Sequence, residues 1–312
     1  GDLFDTKNVS ATARNVVKDL IQGHPKIAFY YLQGNHDEGS FTSGLSEIPE
    51  NLHLFGNNWT SYELSGTENT SGKGVAVTGV ELTPENSGSI YNTLSLDVDQ
   101  CNIVVLHGQE SEYSARDKAE IIHLTALKNK GIDYLALGHV HSFRQEKLDE
   151  QGIWCYSGCL EGRGFDECGT KGYVMLETVA QHLVPTFVLV AKRTLREVVI
   201  EVTETYTEQE IMAQIQGQLT EIPSQDLIKI VLKGQVSPEC DLDLLWMKRK
   251  LESDYYFLKI KDQTKVAVRA EDYQYDRSLK GEFVRLVQET DLSEEDQSEI
   301  LKLGIQALKG EA

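Results

Sequence analysis

The chain has 312 residues, 40% of them apolar, enough to bury a substantial core in one large or two smaller domains. No apolar run approaches the roughly 18 residues of a membrane span, and no basic-then-apolar leader opens the chain, so the expectation is a cytoplasmic protein without membrane association. The formal charge of −19 excludes a surface that is basic throughout, yet it leaves room for local basic patches and for sites where bound cations supply the positive charge.

In chain order, the spacing of Ala13, Val16, Val17, Leu20 and Ile21 predicts an amphipathic helix, stopped by Gly23 and Pro25. Ile27 to Leu32 is an apolar run of strand length that ends in Gly34-Asn35-His36-Asp37. The pattern recurs twice: Ile103 to Leu106 runs into His107-Gly108, and Tyr134 to Leu137 into Gly138-His139-Val140-His141, with a helix expected between them over 115–129. Between Trp59 and Asp97, and again from Glu146 to Val190, short alternating stretches broken by Gly, Ser and Asn predict antiparallel hairpins.

A different rhythm starts near Leu195. It predicts a strand at 198–202, a helix opened by a Thr207 to Glu210 capping box, a strand at 228–232, a helix near 241–252, a strand at 255–260 and a last helix over 293–308. The resulting expectation is α/β: a layered core domain over 1–195 and a smaller α/β unit over 196–312. The five cysteines form no C-x-x-C pair and lie mostly in strand-like segments, which reads as reduced thiols.

In α/β layers ligands gather at the carboxyl ends of strands, so the polar groups after these three strands would meet in one site. Hydrolysis of a phosphoester needs a strong nucleophile and a positive clamp on the phosphoryl oxygens, and a pair of divalent ions about 3.5–4 Å apart supplies both. The oxygen and nitrogen donors for such a pair occur in the order Gly1-Asp2-Leu3-Phe4-Asp5, Gly34-Asn35-His36-Asp37, His107-Gly108 and Gly138-His139-Val140-His141. Singly each is weak, because a lone Asp after Gly is usually a turn and a lone His usually a core or surface residue; the four in order are much more specific.

Together these motifs resemble the signature of the calcineurin-like metallophosphoesterases, over residues 1 to about 195. The Gly1 to Asp5 form, and the segment from Tyr156 to Glu177, resemble DNA-repair exonucleases of the SbcD type. The resemblance implies a metallophosphoesterase β-sandwich flanked by helices with a capping domain that binds DNA or a partner. It implies that Asp2 bridges two metals, that Asn35, His107 and His139 complete one shell, that His141 reaches the other, and that His36 is the acid for the leaving oxygen. The mixed donors favour two Mn²⁺, with Fe²⁺ as the alternative. Asp5 and Asp37 read either as hydrogen-bonding supports or as plain turn acceptors.

The family also has an Asp-x-His motif ahead of Gly1 that this sequence lacks, so the expectation is an N-terminally truncated enzyme of doubtful activity as it stands. The implied function is a metal-dependent phosphodiester hydrolase, a DNA exonuclease or endonuclease of DNA repair and recombination, working with an SMC-like coiled-coil ATPase and pairing as a homodimer. Hydrolysis of small phosphodiesters or phosphomonoesters, and a non-catalytic scaffold on the same fold, are the competing readings. Arg163 reads as a phosphate contact or, more ordinarily, a solvated turn residue. Lys248-Arg249-Lys250, near Trp246, Tyr255, Tyr256 and Phe257, reads as a nucleic-acid contact or, more ordinarily, a solvated helix face over core aromatics.

Overall fold

The computed structural model describes residues 1–308 apart from 5, 38, 40, 46, 65–73, 112–120, 180–181, 239, 241 and 268–272. It is mixed α/β and divides into two compact units, Gly1–Glu161 with Thr170–Ala191, and Gly162–Gly169 with Lys192–Ala312. Among the described residues no helix is long and apolar enough to cross a membrane.

The first unit opens with helix α1 (Ala11–Gly23), whose N-cap Ser10 accepts a hydrogen bond from Ala13 N. Strands β1 (Phe29–Tyr31) and β2 (Leu52–Leu54) pair in parallel, and α1 packs its Ile21 against Leu52 and Phe41 beside them. Next come β3 (Thr60–Glu63), β4 (Val75–Gly79), β5 (Cys101–His107), β6 (Gln109–Ser111), β7 (Ile121–His123), the short helix α2 (Leu124–Leu127) and β8 (Tyr134–Gly138). The unit closes with β9 (Arg144–Lys147), β10 (Ile153–Tyr156), β11 (Gly172–Val179) and β12 (His182–Leu189).

Six of these strands form one sheet in the order β3-β4-β5-β8-β10-β9. Its four central strands are parallel and its two edges antiparallel. All of β4 is buried, as a parallel strand covered on both faces should be. One side of this sheet carries the main core, where Val104, Leu106, Ile122, Leu127, Leu135 and Trp154 meet.

Two expectations are corrected here. The helix anticipated over 115–129 shrinks to α2, because Ile121 to His123 form strand β7 paired with β6; residues 115–120 lie outside the described set. Two adjacent β-branched residues, Ile121 and Ile122, favour the extended form, and Ile122 is fully buried there. Hairpins account for only part of the stretch from Trp59 to Asp97: β3 and β4 are antiparallel, but β4 continues into a parallel pairing with β5.

The second unit contains β13 (Leu195–Val202), α3 (Glu208–Leu219), β14 (Leu227–Val236), α4 (Leu244–Leu251), β15 (Phe257–Val266), α5 (Leu279–Gln288) and α6 (Glu294–Leu308). Its three strands form an all-parallel sheet in the order β13-β14-β15. The capping box at α3 is formed, with Thr207 Oγ1 accepting from Glu210 N and the Glu210 carboxylate accepting from Thr207 N. Helices α3 and α4 bury Ile211, Ile215 and Met247 against Ile200, Ile230 and Leu258. Helices α5 and α6 pack on each other through Val284, Leu301 and Ile305. All five cysteines are thiols, with no disulfide among them.

Candidate metal centre

Asn35 follows β1, His107 is the last residue of β5, and His139 comes directly after β8. The register that pairs His107 with Gly138 sets the last two loops side by side, and the two imidazoles meet edge to face, centroids 5.4 Å apart. Asn35 Oδ1 lies 3.0 Å from His107 Nε2 and 3.2 Å from His139 Nδ1. Asp2 joins them: its Oδ2 is 3.1 Å from His107 Nε2, and its Oδ1 accepts a 3.0 Å hydrogen bond from His36 N. Asp2, His107 and His139 each present a ligand atom within 4.8 Å of the others.

The backbone bends sharply to achieve this. Asp2 and His139 have φ of 57° and 101°, in the region that residues with a Cβ seldom adopt. Such conformations cost on the order of 1–3 kcal/mol each and persist where the surroundings over-determine them. The neighbouring glycines are dictated by space: a Cβ on Gly34 would lie 2.1 Å from Asp2 Oδ1, and one on Gly138 2.7 Å from His107 Nδ1.

Burial pushes the Asp2 carboxyl pKa upward, but the His107 ring and the His36 N–H outweigh it and bring it down to about 2. The group is therefore an anion at neutral pH. Its Oδ2 is buried with no hydrogen-bond partner among the described residues, the approach to His107 being close but not aligned. A buried carboxylate oxygen left in this way is expensive unless a cation meets it. Carboxylate, amide and imidazole donors together are a set suited to a divalent cation, so the residues fit the metal that the motifs imply.

Asp37 holds the arrangement from behind. Fully buried, it accepts hydrogen bonds of 2.8 Å from Leu3 N, Gly34 N and Tyr31 Oη, which ties the Asp2 loop to the loop bearing Asn35 and His36. The His36 side chain itself is exposed. His141 is half-buried and stands outside the three-residue group; its carbonyl accepts a 2.6 Å bond from Lys171 Nζ. Asp5 lies outside the described residues. Beside Asn35 and His107 opens a cleft of about 530 Å³ whose walls include Lys7, Gln33, Asn57 and Glu81.

Two contributions escape a motif reading. Lys171 is buried, and its bond to the His141 carbonyl fixes the last histidine loop, yet nothing in Thr170-Lys171-Gly172 marks it. Gln33 Nε2 donates to Glu81 Oε1 at 2.9 Å across a sequence separation no periodicity reveals. Arg163 pairs with Glu167 at 3.0 Å within the second unit. His24, His53 and His123 make local contacts, with the Leu20 carbonyl, Tyr30 and Tyr91 respectively.

Residues 1–143 match the family described as calcineurin-like phosphoesterase. A Bacillus subtilis (strain 168) protein described as an uncharacterized metallophosphoesterase, YhaO, is 32% identical over 183 residues, which is 56% of this chain and 43% of that protein. The chain thus spans less than half the length of the curated relative it matches. Proteins of that family are phosphoesterases that bind divalent metals. The family match and the likeness to the Bacillus protein, falling on the stretch that supplies Asp2, Asn35, His107 and His139, support the calcineurin-like metallophosphoesterase superfamily for this part of the chain.

Proposed function

We propose that the chain is the phosphodiesterase portion of a DNA exonuclease or endonuclease of DNA repair, using two Mn²⁺. One observation carries the hydrolase reading: the ionised Asp2 carboxylate set among His107, His139 and Asn35, its buried Oδ2 close to His107 but without a hydrogen-bond partner among the described residues. The DNA assignment is finer, and the motif resemblance supports it.

In this reading Asp2, Asn35, His107 and His139 would hold one ion, and Asp2 with His141 would hold the other. Divalent ions, when bound, stabilise charge on the phosphoryl oxygens and make water a competent nucleophile at neutral pH. His36 gives a proton to the leaving oxygen; its side chain is exposed while its own N–H anchors Asp2. Asp37 and Tyr31 keep the two loops in register, and Lys171 does the same for the His141 loop. The first unit is the catalytic domain and the second a capping domain that meets DNA or a partner, an SMC-like ATPase, in a cytoplasmic homodimeric assembly.

A second reading, hydrolysis of small phosphodiesters, is favoured by the net charge of −19, which repels a polyanion at long range. The test is Mn²⁺-dependent hydrolysis of end-labelled linear DNA and of a chromogenic phosphodiester, alongside calorimetric Mn²⁺ binding, for the native chain and Asp2→Ala. DNA cleavage lost in the variant is the expected result. Hydrolysis of the small diester alone defeats the DNA assignment, and Mn²⁺ binding with no hydrolysis of either substrate leaves a scaffold.

A further inference from the structure

The two faces of the parallel sheet in the second unit are unlike. Val198, Ile200, Ile228, Ile230 and Leu258 point to the side where α3 and α4 pack, and α6 joins that side through Lys302, which bonds Asp262 and Thr264. Strand alternation sends Lys229, Lys233, Lys259, Lys261 and Lys265 to the other side. The register places Lys229 beside Lys259, and runs Lys259, Lys261 and Lys265 along one strand. All but the half-buried Lys229 are exposed.

On β13, Glu197 and Glu201 lie on the same face and oppose this charge. Glu197 is taken up by Lys229, 2.5 Å away. Its carboxyl pKa is lowered by the hydrogen bond from Lys229 and by the nearby charges of Lys233 and Lys261, which shows how closely these lysines gather. Val231, at the centre of the sheet, is only 2% exposed. In a chain of net charge −19 the lysines form a local basic surface on an otherwise acidic protein.

Aromatic rings border the amino-terminal end of the same strands. Phe257 is 45% and Tyr256 62% exposed. The Arg193 guanidinium lies 3.6 Å over Tyr256, Lys259 Nζ sits 4.6 Å over Phe165, and Phe165 and Phe257 are 6.2 Å apart. Lysines in a row suit the phosphates of a strand, and exposed rings beside them suit unstacked bases. An acidic peptide would use the first feature and leave the second unexplained.

We propose that this lysine face is a binding surface for single-stranded nucleic acid, with phosphates along Lys259, Lys261 and Lys265 and a base on Tyr256 or Phe257. It deepens the nuclease reading and rests on it for the choice of polymer. The face is distinct from the Lys248-Arg249-Lys250 helix, where Lys248 is engaged with Glu252 at 3.6 Å.

The test is fluorescence anisotropy of a labelled oligodeoxythymidine with the full chain, titrated with salt, without added metal. Each lost phosphate contact lowers the slope of log affinity against log salt by about 0.7 for a single strand, so the triple variant Lys259→Ala, Lys261→Ala, Lys265→Ala should lower it by about 2 units. Tyr256→Ala should weaken binding on the order of 10-fold through lost stacking. Thermal unfolding, together with the single variant Lys261→Gln and its slope loss of about 0.7, guards against a folding defect. An unchanged slope in the triple variant, a slope that falls instead in Lys248→Ala, Arg249→Ala, Lys250→Ala, or equal displacement by polyglutamate each overturns the inference. Oligonucleotide binding that depends on the three lysines in a chain that cuts no DNA would sink the nuclease reading and leave this surface standing. DNA cleavage with binding indifferent to the lysines would do the reverse.

Discussion

In the first unit Asn35, His107 and His139 sit at or beyond the ends of strands of three, seven and five residues, and the backbone bends through positive φ at Asp2 and His139. In the second unit strands of eight, ten and ten residues run in unbroken parallel register, and the helices start on side-chain caps at Thr207, Asp243 and Ser278. The first region holds the half-buried Asp2 carboxylate, whose Oδ2, like the buried His107 Nδ1, has no hydrogen-bond partner among the described residues, and Asp37 ties its loops together. Two of the three positive-φ residues with a Cβ among the described residues therefore lie where chemistry is proposed, the third being Asn129.

The sharpest way to test that contrast is His36→Ala. The substitution keeps the backbone N–H that anchors Asp2 and removes only the proton donor, so the rate should fall about 10²–10⁴-fold while Mn²⁺ affinity and unfolding midpoint stay put. A parallel loss of metal affinity would show that His36 is a ligand and not the acid.

Ile230→Ala probes the other region. Ile230 is fully buried on the central strand of the second sheet, so the change should cost about 2–5 kcal/mol by denaturant unfolding. Calorimetric Mn²⁺ affinity should not move, and a drop would break the separation between a site region and a stability region.

Asp37→Ala should act on the first region alone. It strands Leu3 N, Gly34 N and Tyr31 Oη, and the expected result is Mn²⁺ affinity lowered on the order of 10–100-fold. Unchanged affinity would reduce Asp37 to a turn residue.

The smallest effect belongs to Thr207→Ala, which removes the α3 cap and should cost about 1 kcal/mol without touching hydrolysis. Its partner Glu210 has a carboxyl pKa lowered by hydrogen bonds from the Thr207 N–H and side chain. A depressed folded-state pKa means stability that is present above the ordinary value of 4.5 and lost as pH falls through the lowered one. The Thr207→Ala penalty measured at neutral pH should accordingly shrink in acid.

Much of this was legible in the sequence where one residue type had one use. The ordered motifs named Asp2, Asn35, His107 and His139 as neighbours, three of them because they end or follow an apolar strand and Asp2 through the motif resemblance, and the structure brings those four together. The capping box at Thr207 was equally plain. Helix α5 was not anticipated: Ser278 caps it, but Gly281 in its first turn weakens the helical signal. Long-range polar contacts such as Gln33 with Glu81, or Lys171 with the His141 carbonyl, leave no periodic trace, since either partner alone looks like an ordinary surface residue.

The positive φ at Asp2 and His139 has a consequence for how these positions can vary. The backbone there favours glycine, while the proposed chemistry requires a side-chain donor, so the two demands oppose each other at the same atom-bearing residue. A library screened only for thermal tolerance would drift toward glycine at both positions and lose hydrolysis. One screened for turnover would hold Asp2 and His139 fixed and collect its stabilising substitutions elsewhere, in the regular strands and helices of the second unit.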